Sequence, residues 1–92
     1  MPQIFKFGGY IIFFWSNENK PTEPIHVHIA KHNPRANSTK VWTTKRGRTL
    51  VCNNNSQITS KDLRKLLTFI EANSDEIIQK WYEYFGEISY YC

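Results

Sequence analysis

Long apolar runs are missing from this chain of 92 residues; the longest near its start, Tyr10 to Trp15, is six residues. That is too short for a secretory core and far below the ~20 residues that span a bilayer. Cysteine is scarce, and Cys52 and Cys92 show no framework spacing, so a disulfide scaffold is not indicated. These absences predict a cytoplasmic protein with reduced thiols and no membrane association. Low complexity is confined to Asn53-Asn54-Asn55, and there is no internal repeat. Acidic residues are absent from Pro24 to Lys61, a stretch that holds Lys31, Arg35, Lys40, Lys45, Arg46, Arg48 and Lys61. From Glu71 to Glu87 the balance reverses, with Glu71, Asp75, Glu76, Glu83 and Glu87 against Lys80 alone. A formal charge of +4 distributed in this way predicts a basic side and an acidic side.

Hydrophobic residues make up 40% and aromatics 15% of the chain, which is the composition of a globular domain and not of a disordered tail. The length suits one domain over 1–92: a sheet in 1–52, helices in about 59–86 and a short tail, 87–92. Aromatic rings cluster in residues 5–15 and 81–91, so the two ends of the chain are expected to pack together. In particular, Trp81 and Phe85 should lie against Phe5, Phe7 and the second strand.

Ile4-Phe5-Lys6-Phe7 reads as a short strand, and Gly8-Gly9 suits a primed hairpin turn. Tyr10 to Ser16 is apolar on both faces, as in a strand covered on both sides. A polar loop with two prolines, 17–24, follows. The strand from Ile25 to about Lys31 alternates strictly: Ile25, Val27 and Ile29 on one face, His26, His28 and Ala30 on the other. Residues 32–38 form a second loop. Lys40 to Thr44 and Arg48 to Cys52 read as a hairpin turning at Lys45-Arg46-Gly47. Thr59 or Ser60 caps a first helix with the stripe Leu63, Leu66, Leu67, Ile70. Asn73-Ser74 ends it and caps a second helix with the stripe Ile77, Ile78, Trp81, Tyr82, Phe85, stopped by Gly86. The expected fold is α+β: a small antiparallel sheet of four or five strands with a C-terminal two-helix hairpin on one face.

His26 and His28, two apart on a strand, project to the same side with origins roughly 6–7 Å apart. That geometry suits two ligands of one zinc ion, or an acid and base for phosphodiester cleavage. His32 would join them only if the strand ran on unbroken, and Asn33-Pro34 just after it argues against that. Cys52 and Glu18 are the only further ligands the sequence offers. Set against this is the plainer role of two hydrogen-bonded histidines on a half-exposed strand. The basic segment carries a different chemistry. Lys31, Arg35, Lys45, Arg46 and Arg48 with Trp42 combine cations for phosphates with a ring for a base, as RNA or single-stranded DNA binding requires. An acidic partner protein would meet the same charges. The apolar tail after Gly86 offers a surface for a partner or for a homodimer, or is simply a loose terminus.

Several separated motifs coincide with a known pattern. They are Ile4-Phe5-Lys6-Phe7-Gly8-Gly9, Ser16-Asn17-Glu18, Pro24-Ile25-His26-Val27-His28-Ile29, Lys40-Val41-Trp42, Cys52-Asn53-Asn54-Asn55-Ser56, and Leu63-Arg64-Lys65 through Lys80-Trp81-Tyr82-Glu83-Tyr84-Phe85-Gly86. In this order they resemble the bacterial family catalogued as domain of unknown function 4160, over roughly residues 2–87. The resemblance implies a small bacterial protein of unassigned activity, often encoded beside another small protein as a toxin–antitoxin-like pair. The product of that neighbouring small gene is the partner the resemblance implies. The leading expectation is therefore a binding component of such a pair, or of a regulatory pair, contacting RNA or a partner protein through the basic side. The alternative is a small nuclease-like hydrolase centred on His26 and His28, with or without zinc.

Overall fold

A computed structural model describes residues 3–15, 23–34 and 37–92. Five strands form one antiparallel sheet in chain order: β1 (Gln3–Phe7), β2 (Tyr10–Phe13), β3 (His26–Lys31), β4 (Thr39–Thr43) and β5 (Thr49–Asn53). Two helices follow, α1 (Ser60–Ala72) and α2 (Ser74–Phe85). Every strand pairs with its sequence neighbour, so hairpins and loops are the only connections the sheet needs. The tightest of these is Gly8-Gly9, whose φ angles of +55° and +86° are the two positive values a primed turn demands.

The alternation in β3 decides which face becomes the core. Ile25, Val27 and Ile29 are fully buried and lie with Ile12 and Val41 beneath Leu66, Ile70, Ile77 and Trp81 of the helices. All four residues of β2 are buried, because Ile11 and Phe13 join Ala30 in a second, smaller apolar cluster on the opposite face. No helix is long and apolar enough to cross a membrane among the described residues.

The aromatic ends meet, with Trp81 and Phe85 against Phe14 of the expected second strand but not against Phe5 and Phe7. Phe5 and Phe7 pack on Phe69 of α1, with ring centroids 5.2 Å and 4.6 Å away. Phe14, just beyond β2, meets Trp81 edge-on at 5.1 Å and Phe85 at 6.0 Å. The edge strand β1 thus reaches α1, and α2 is met by the segment leaving β2. Tyr82 is 58% exposed, a correction to the second helical stripe. At 100° per residue it sits about 90° from the centre of the arc formed by Ile77, Ile78, Trp81 and Phe85.

Thr59 caps α1, its Oγ1 accepting from Asp62 N at 3.2 Å. Asn73 does not cap α2 with its side chain; its Nδ2 donates back to Phe69 O at 2.8 Å, closing α1 instead. Gly86 ends α2 in the left-handed conformation at φ +80°. Two carboxylates tie α1 to the sheet. Glu71 Oε2 accepts from Thr49 N (3.0 Å) and Thr49 Oγ1 (2.8 Å), and Asp62 Oδ2 accepts from Tyr10 OH at 2.7 Å.

The hydrogen bond to Asp62, then burial, then the Asp62 charge raise the Tyr10 phenol above its ordinary value near 10. The folded state therefore holds this proton to higher pH than the unfolded state does. The stability from this bond is complete below pH ~10 and is lost as pH rises beyond it. Tyr10→Phe is expected to cost about 1–2 kcal/mol at neutral pH. The gap between wild type and variant should narrow above pH ~10. Urea midpoints at pH 8 and pH 10.5 check this, and a gap that stays constant would contradict it.

Candidate functional site

Register builds the surroundings of the two histidines. His28 pairs with Phe13 on β2 and Lys40 on β4, and His26 pairs with Trp42. Phe13 stacks near His28 at 5.6 Å, and Trp15 meets the same ring edge-on at 6.2 Å. His26 lies 5.5 Å from Trp42 and 5.3 Å from Trp81, and the two imidazole centroids are 5.0 Å apart at 83°. The strand is therefore not half-exposed: His26 is 1% and His28 7% accessible, inside a box of aromatic rings. Cross-strand partners that local sequence does not reveal produce that burial.

His26 Nδ1 lies 2.8 Å from Pro24 O. A carbonyl oxygen only accepts, so Nδ1 carries the proton, and in the neutral ring Nε2 holds the lone pair. Zinc through Nε2 of His26 with His28 would need at least one further ligand. Cys52 lies on β5, two strands from β3 and so roughly 10 Å away. No group of three His, Cys, Asp or Glu that could hold a metal ion occurs among the described residues. Glu18 lies outside those residues, as does Arg35. His32, exposed and at φ +66°, is past the end of the strand.

The basic segment, continuous in sequence, is divided by the meander. Lys31 stands at the end of β3 paired with Tyr10, roughly 16 Å along the strand from His26. Lys45, Arg46 and Arg48 are exposed at the opposite end, around the β4–β5 turn. Lys40 is committed locally: its Nζ bonds Glu23 Oε1 at 2.6 Å and sits 4.5 Å from the centre of the Trp42 ring.

The turn is rigidly built. Gly47 N donates to Thr44 O at 3.0 Å, and Arg48 N donates to Thr44 Oγ1 at 3.1 Å. Gly47 itself is at φ +77°, and a Cβ there would come within 2.7 Å of Ser74 Oγ. The segment after α2 crosses this same end of the sheet. Trp81 Nε1 donates to Glu87 O (3.1 Å), Ile25 N to Ser89 O (2.9 Å) and Lys45 N to Cys92 O (3.2 Å). Tyr91 consequently lies flat on Trp42, centroids 4.8 Å apart and planes 4° from parallel, with 59% of its surface exposed. The tail is thus part of this surface, through a pairing with Trp42 that no local signal in the sequence announces. Leu50, opposite Trp42 on β5, is 43% exposed beside it.

A family model described as domain of unknown function DUF4160 matches residues 9–82. The chain belongs to this family. The DUF4160 span includes both histidines, Trp42 and the cations of the β4–β5 turn, and it ends on α2, before Tyr91. No curated protein and no solved structure matches the chain.

Proposed function

We propose that this chain is a binding module for single-stranded RNA, working as one member of a toxin–antitoxin-like or regulatory pair. The observation that carries this reading is the parallel Trp42–Tyr91 stack bordered by exposed Lys45, Arg46 and Arg48. The outer face of Tyr91 offers a platform for a base, and the turn supplies cations for the phosphates on either side. The hydrogen bonds that hold the turn and tail fix the backbone that carries these groups before any ligand arrives, which lowers the entropic cost of binding. The test is fluorescence anisotropy with a labelled uridine-rich oligonucleotide. Arg46→Glu with Arg48→Glu, and separately Tyr91→Ala, are each expected to weaken binding about tenfold. With three phosphates contacted, log K should fall with log salt at a slope near −2, from ~0.7 per phosphate on a single strand. Binding unaffected by salt or by these variants would refute the reading. Equal binding of polyglutamate would instead assign the surface to an acidic protein.

A second reading rests on the His26 Nδ1–H···O contact to Pro24, which orients a ring nitrogen as a general base or zinc ligand would need. It is a small hydrolase of RNA centred on His26 and His28, with or without zinc. The near-complete burial of both rings favours the binding module. RNA cleavage abolished by His26→Ala and His28→Ala, or stoichiometric zinc in untagged protein, would reverse that order.

A further inference from the structure

The outward side of α1 is basic and the groove beside it is apolar. Lys61, Arg64, Lys65 and Thr68 are exposed at helical spacing, facing away from the buried Leu66 and Ile70. Below them Phe69 and Phe7 stack at 4.6 Å, and both rings are only half-buried. Two hollows share Phe7 and Lys65. One, of about 260 Å³, extends to Gly8 and the Tyr10–Asp62 pair. The other, of about 470 Å³, extends to Arg64, Thr68 and Ala72. Together they make one groove between α1 and the edge of the sheet.

Its charge is predominantly positive. Asp62 is the one carboxylate among its lining residues and accepts from Tyr10 OH, while Glu71, the other carboxylate of α1, accepts from Thr49 on the far edge of the sheet. Among the described residues Lys61, Arg64 and Lys65 make no ion pair. The strand alongside is also open. β1 is an edge strand that, among the described residues, bonds only to β2, whereas the other edge has Thr49 N held by Glu71.

We propose that this groove docks an extended acidic segment of a partner protein. The segment adds to β1 as a further strand, sets alternate apolar side chains on Phe7 and Phe69, and places its carboxylates at Arg64 and Lys65. A strand edge and an apolar floor are features a peptide uses and a phosphate backbone does not. The groove lies at the β1 edge, away from the β4–β5 turn, so its fate is independent of the RNA reading.

The probe is a short fluorescein-labelled peptide alternating glutamate with valine, with a lysine–valine peptide as control. Anisotropy should show binding of the acidic peptide alone. Amide resonances of β1 should shift, and those of β5 should not. Arg64→Glu with Lys65→Glu should weaken binding about tenfold without moving the melting temperature, because both side chains are exposed. Equal binding of the two peptides, unshifted β1 amides, or full binding by the double variant would overturn the proposal. So would RNA binding that the double variant abolishes, which would make the groove a nucleic-acid site.

Discussion

Replacing Trp81 with alanine is expected to lower the melting temperature by about 15 °C or more, a larger effect than any other substitution proposed for this chain. The indole is completely buried and joins three parts of the molecule. It meets Phe14 at 5.1 Å, Phe85 at 4.3 Å and His26 at 5.3 Å, and its Nε1 donates to Glu87 O. Truncation of a buried tryptophan costs about 3–5 kcal/mol, from lost transfer energy and the cavity left behind. A domain of this size has about 5–14 kcal/mol in total. The alanine variant should therefore lose between about a fifth and all of its stability. Trp81→Phe keeps most of the ring and loses the Glu87 bond, so about 1–2 kcal/mol is expected. Thermal melts of the three proteins give the order wild type, phenylalanine, alanine. An alanine variant within 5 °C of wild type would show that α2 is held by other contacts. The histidine ring resonances should also move in the alanine variant, since one wall of the His26 box is gone.

The same residue shows how much of this molecule is legible in its sequence. The helical stripe marks Trp81 as core, and the strict alternation of β3 marks the face it covers. Gly8-Gly9 and Gly47 mark two hairpins because positive φ leaves few other residues available. These are local signals with fixed periods, and they place the elements in order to within a residue or two, except that the second strand, read to Ser16, ends at Phe13. Pairings between distant segments have no such signal. Alternation puts His26 and His28 on one face, but their burial depends on Phe13, Trp15 and Trp42, which only sheet register brings to them. Lys31 and Arg46 are close neighbours in a run without acids, yet an antiparallel turn sends them to opposite ends of the sheet. Tyr91 reaches Trp42 through the path of the tail after Gly86. The basic side of α1 is legible in principle, since Lys61, Arg64 and Lys65 complement the apolar stripe at helical spacing. Three cations on a helix are a weaker signal than the acid-free run before them, and only the fold sets them beside an apolar groove.

Among the three consecutive asparagines, Asn54→Ala is expected to cost about 2–4 kcal/mol and Asn55→Ala less than about 0.5 kcal/mol. The run reads as a polar linker, and its neighbours suggest a ligand surface. Its hydrogen bonds show a structural joint instead. Asn54 Oδ1 accepts from Thr39 Oγ1 (2.8 Å) and from Ile58 N (3.1 Å), and its Nδ2 donates to Ile58 O at 2.9 Å. Each hydroxyl nearby is used twice. Thr39 Oγ1 donates to Asn54 and accepts from Ser56 N, while Ser56 Oγ donates to Ile29 O and accepts from Thr39 N. Thr39 and Ile58 are buried, at 0% and 6% exposure, so alanine at position 54 strands a backbone N–H, a backbone C=O and a hydroxyl away from ready solvent. Asn55 is exposed, and among the described residues its side chain makes only a 3.3 Å contact to Asn37. Asn54→Asp keeps the acceptors and loses the donor, so its cost should fall between the two alanine variants. Chemical denaturation of all three, compared at constant m-value, tests the order. If Asn54→Ala proved as mild as Asn55→Ala, the joint would not hold the β5–α1 connection, and the asparagines would be free to serve as part of a binding surface.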